Sequence, residues 1–95
     1  MKSLTTHEIL IALFRNLQSW SWDIRPQFTL EREDMEALIP ILENHVNTHD
    51  SSYFTDMADR FIDNLKDSLA NPHCMANRID ITTGKMLQIV LGDYL

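Results

Sequence analysis

The feature that most restricts the fold is a run of apolar side chains at helical spacing in the second half of the chain. Phe54, Met57, Ala58, Phe61, Ile62, Leu65 and Leu69 recur at intervals of three and four, while Asp56, Asp59, Asp63 and Asp67 follow the opposite side. A period near 3.6 puts the first set on one helix face and the second in solvent, a segregation that the alternation of a β-strand cannot produce. Asp50, Ser51 or Ser52 is placed to cap the start of this helix, and Asn71-Pro72 ends it near Ala70.

The same period recurs on both sides. Thr5 and Glu8 have the spacing of a capping box, which predicts a helix from about Thr6 to about Trp20 with Ile9, Leu10, Leu13, Phe14 and Leu17 on its apolar face and Ile11 widening it. A second helix is expected from Thr29 to about Asn47. Its stripe is Met35, Leu38, Ile39, Leu42 and Val46, and Glu31, Glu33, Asp34 and Glu36 occupy its first two turns, where the positive end of the peptide dipoles favours carboxylates. Pro40 falls inside this stripe, although a helix-interior proline costs ~3 kcal/mol. The stripe keeps its phase across Pro40, which predicts one kinked helix; the alternative is a break, with Pro40 opening a new helix at its first position. Residues 73–81 have no clear period and read as a short helical turn or as an extended piece through Arg78-Ile79-Asp80-Ile81. Thr82 or Thr83 then caps a last helix to about Tyr94, apolar around much of its circumference through Met86, Leu87, Ile89, Val90, Leu91 and Tyr94. The expectation is an all-α fold: residues 1–95 form a single domain, a compact bundle of four main helices with the second kinked or broken at Pro40. An apolar content of 44% supports a core without staples, and the single Cys74 excludes an internal disulfide.

Several function classes are excluded or disfavoured by what is missing. The two glycines, Gly84 and Gly92, lie near the C-terminus, so no glycine-rich phosphate loop precedes them. The net charge is -6, and residues 29–50 hold one arginine against six carboxylates. No cluster of Lys and Arg is available to displace counterions, which argues against direct nucleic-acid binding. The longest apolar run, Ile9 to Phe14, falls far short of the ~20 residues that cross a bilayer. It also lacks the flanks of a signal peptide. A free thiol without an export signal fits a cytoplasmic protein. The serines show no nucleophile-elbow pattern, and adjacency of His73 to Cys74 does not place an imidazole to activate the thiol. A protein that is not an enzyme and has no cofactor is expected.

Two features remain. The connector from Ser21 to Phe28 holds Trp22, Ile24 and Phe28, with Trp20 just before it. Such side chains either fold back to lid the core or form an aromatic patch for a partner. His45 and His49 are four apart and share a helix face, a spacing that can grip a metal with Asp50, His73 or Cys74 completing the set. Their position near a helix C-terminus alternatively serves only to complement its negative end. The first expectation is therefore a small acidic protein–protein interaction module, an adaptor, inhibitor or regulator, with Trp20, Trp22, Phe28, Glu33, Asp34 and Glu36 as partner-binding residues. A homodimer through the C-terminal helix is a possible part of it. The alternatives are an acidic decoy that mimics nucleic acid toward a DNA- or RNA-binding protein, using Asp59 and Asp63 as well as the acidic start of the second helix, and a metal-binding module at His45 and His49.

Overall fold

In the computed structural model, which describes residues 4–49 and 52–95, the four helical periods become α1 (Thr6–Ser19), α2 (Arg32–Thr48), α3 (Tyr53–Ala70) and α4 (Ile81–Tyr94). Helices account for about 70% of the described residues. The bundle also contains two short strands, β1 (Phe28–Glu31) and β2 (Ala76–Ile79), paired antiparallel with Phe28 opposite Ile79 and Glu31 opposite Ala76. Neither strand was expected as such, although the extended alternative for residues 73–81 anticipated part of β2. Among the described residues no helix is long and apolar enough to cross a membrane.

The helix starts follow from local chemistry. At α1 the capping box forms as the spacing requires: Glu8 N donates to Thr5 Oγ1 and Thr5 N to Glu8 Oε1, both at 3.2 Å. At α3 the cap is Ser52, which accepts from Thr55 N at 3.3 Å; the other two candidates, Asp50 and Ser51, lie outside the described residues. α2 begins three residues later than Thr29, because Phe28 and Leu30 turn into the core while Thr29 and Glu31 face outward, a strand alternation closed by β2. α4 is capped by Asp80, whose carboxylate accepts from Thr83 N at 3.0 Å, rather than by Thr82 or Thr83. α2 runs without interruption through Pro40, so the broken alternative is excluded. Glu36, whose carbonyl loses its partner to the proline ring, and Pro40 itself are both exposed, which leaves that carbonyl to solvent.

One core holds the four helices together. Leu10 and Leu17 from α1, Leu38 and Leu42 from α2, Leu65 from α3 and Leu87 from α4 are buried in the same cluster, with Leu30 and Ile79 joining it from the strands. α2 packs most extensively on α3, and α1 bridges α2 and α4. A second tie is polar. The Arg32 guanidinium, at the first turn of α2, donates to Leu69 O (2.8 Å), Asn71 O (3.0 Å) and Cys74 O (2.7 Å). It thereby satisfies carbonyls at the C-terminal end of α3 and in the loop after it, which have no intrahelical partner.

Candidate functional site

The connector aromatics form an internal stack. Trp20 and Phe28 meet edge to face with centroids 4.9 Å apart, and Trp22 lies 6.5 Å from each. Trp20 Nε1 donates to Arg25 O at 3.1 Å, and the Arg25 guanidinium lies 5.5 Å above the Trp20 ring. Trp22 reaches across to α4, where its six-membered ring rests directly on the Cα of Gly84. Phe28 is only 6% exposed. Its expected role as an exposed partner contact is therefore corrected: the β1 alternation turns its ring inward, where it seals the core. Trp20 and Trp22 are half-buried against that core and offer only their outer edges. Of the large apolar side chains in the connector, Ile24 is the one that stays exposed.

The acidic start of α2 has a different setting. Leu4, Ile9, Ala12 and Leu13 on one side and Phe28 and Thr29 on the other enclose a groove of about 250 Å³ between α1 and β1, and Glu31, Glu33 and Asp34 stand on its rim. Two of the expected partner-binding carboxylates, Glu33 and Asp34, thus meet an apolar floor, whereas Glu36 is exposed outside the groove. Asp34 Oδ2 accepts from Glu31 N at 3.0 Å, which fixes its carboxylate at the helix start. Burial raises the Asp34 pKa above its ordinary 3.8, and the neighbouring charges of Glu31 and Glu33 add to the rise against that backbone bond. None of these carboxylates has a cation in ion-pair range among the described residues; the ion pair found there is Lys66–Glu43, at 3.3 Å on the surface. Arg32, the arginine beside them in sequence, is turned away to the carbonyls of residues 69–74. Asp56, Asp59, Asp63 and Asp67 all lie on the solvent face of α3.

The third arrangement lies where the C-terminal ends of α2 and α4 meet. His45 is 7% exposed and His49 is exposed; their rings stack at 3.8 Å, and Phe54 of α3 abuts His45 edge-on at 5.4 Å. The packing of α2 on α3 encloses His45, while His49 faces solvent. Burial lowers the His45 pKa below its ordinary 6.5; His49 pushes the same way and Asp93 opposes. His49 Nδ1 lies 2.8 Å from His45 O and 3.2 Å from Thr48 Oγ1. The carbonyl can only accept, so Nδ1 carries the proton and is committed to that bond, while Nε2 is not. Asp93 of α4 brings a carboxylate to the pair, so that one donor atom from each of the three residues lies within 4.8 Å of the others. A cleft of about 160 Å³ opens beside them, walled by Ile41, Val90 and Tyr94. Neither His73 nor Cys74 joins this cluster, and Asp50 lies outside the described residues. Cys74 is instead half-buried next to the Arg32 clamp, its Sγ 3.3 Å from Ala76 O.

Comparison of the chain with protein-family models, with curated proteins and with solved structures finds no match in any of the three.

Proposed function

We propose that this protein is a small cytoplasmic interaction module, an adaptor, inhibitor or regulator without catalytic activity of its own. Its docking site is the groove between α1 and β1, and its occupant is a partner segment that presents Lys or Arg beside an apolar side chain. The observation that supports it is the pairing of an apolar floor, Leu4, Ile9 and Ala12, with three rim carboxylates that no cation of the described chain neutralises. An apolar side chain seated there removes grease from water, and a cation placed against Glu33 and Asp34 steers the approach and fixes its register.

The test is selection of a displayed random-peptide library on the protein, followed by calorimetric titration of the enriched peptides. Enriched sequences should combine basic and apolar residues, and Glu33→Lys should weaken them at least about tenfold, with binding falling as salt rises. Peptides without basic residues, or binding indifferent to Glu33→Lys, would sink the proposal. Binding that depends on Asp59 and Asp63 as much as on Glu33 and Asp34 would turn the reading to nucleic-acid mimicry, because those two face solvent on α3, remote in sequence from the groove. The alternative occupant is a second copy of the chain, through α4. Its exposed positions Ile81, Lys85, Ile89 and Gly92 set a lysine in the middle of the seam, a poor match to the apolar core of a stable dimer interface.

A further inference from the structure

We propose that His45, His49 and Asp93 form a binding site for a divalent late-transition-metal ion, with Zn²⁺ the expected occupant, in the cleft between the C-terminal ends of α2 and α4. The donor set is two imidazoles and one carboxylate, the mixture that suits zinc and its neighbours rather than magnesium or calcium. Two ligands come from one helix at a spacing of four and the third from another helix, and their donor atoms already lie within 4.8 Å.

Three further observations point the same way. The bond from His49 Nδ1 to the His45 carbonyl is the outer-shell contact that metal-ligating histidines usually make, and it leaves Nε2 as the ring nitrogen for an ion. His45 is enclosed, with Phe54 edge-on at 5.4 Å, so its ring is held at the cluster by the packing around it. The cleft of about 160 Å³ beside the cluster has room for the ion and a further small ligand, so three protein donors would leave the fourth position open. Complementation of a helix C-terminus accounts for the His49 bond to the His45 carbonyl but not for Asp93, whose carboxylate adds negative charge at that same helix end. The two rings stack with an angle of 23° between their planes. Capture of the ion requires the two rings to open that stack, a movement for which His49, being exposed, has room on its solvent side. The site belongs to α2 and α4, so it stands or falls independently of the groove at α1 and β1.

The test uses untagged, metal-stripped protein titrated with ZnCl₂ by calorimetry and with CoCl₂ by visible absorption, beside His49→Gln and Asp93→Asn. Both substitutions are at exposed positions, and melting of the metal-free variants checks that they fold. One ion per chain is expected, with Co²⁺ absorption of low-coordinate type, melting raised by added Zn²⁺, and affinity reduced at least about tenfold in each variant. No binding, or equal affinity in wild type and both variants, would overturn the proposal. So would loss confined to His73→Gln or to His7→Gln, the latter histidine lying edge-on to Tyr94 at 6.4 Å.

Discussion

At the scale of single residues, the contact between Trp22 and Gly84 sets two opposed effects against each other. Alanine gains about 0.8–1 kcal/mol over glycine in a helix. Its Cβ, however, would lie 2.6 Å from Trp22 Cη2, and such overpacking costs about 1–3 kcal/mol. Gly84→Ala alone should therefore lower stability by about 1–2 kcal/mol in urea denaturation, whereas in a Trp22→Ala background the same change should raise it. A Gly84→Ala effect of the same sign in both backgrounds would show that the close approach does not matter. Asp34 gives a dependence on pH. Its folded-state pKa is raised, so below the ordinary 3.8 both folded and unfolded chains hold the proton and nothing is lost. As pH climbs from 3.8 through the folded value, the folded state surrenders a proton that it binds more tightly, and the penalty is complete above that value. Asp34→Asn keeps an acceptor for Glu31 N and removes the titration. The stability difference between variant and wild type should shift in favour of the variant as pH rises from below the ordinary 3.8, measured by denaturation at several pH values.

At the scale of elements, the Arg32 clamp joins the start of α2 to the end of α3. Hydrogen bonds to a charged group contribute about 1.5–3 kcal/mol, and a lysine, with one point charge, cannot match the planar fork across three carbonyls. Arg32→Lys should cost about 2 kcal/mol and speed amide exchange in the last turn of α3, read by hydrogen-exchange mass spectrometry or NMR. Exchange unchanged there would mean that the clamp contributes little to holding the helix end. The clamp was illegible in the sequence, because Arg32 stands among carboxylates of opposite charge while its acceptors are main-chain carbonyls some forty residues on. The helices were legible for the opposite reason. Their signals, a capping box at Thr5 and Glu8 and a stripe through Phe61 and Leu65, are local. β1 escaped because four residues give too little alternation to register, Thr29 resembles a cap, and the partner strand lies far along the chain.

At the scale of the whole molecule, the functional features arise where separate elements meet. The spacing of His45 and His49 could be read from α2 alone, but Asp93 joins them only once α2 and α4 pack, so His73, Cys74 and Asp50 were the candidates the sequence offered. The acidic run was visible in the same way, whereas its apolar floor needed α1 to lie against β1. The sheet also decides how the molecule bears force. Phe28, where the chain enters β1, lies directly opposite Ile79, where it leaves β2. A pull on the two termini would peel α1 and α4 away first and then arrive at both members of that rung at once, parting the ladder one rung at a time like a zip. The loop containing α2 and α3 stays closed until that zip opens, so these two helices are the last to feel the load.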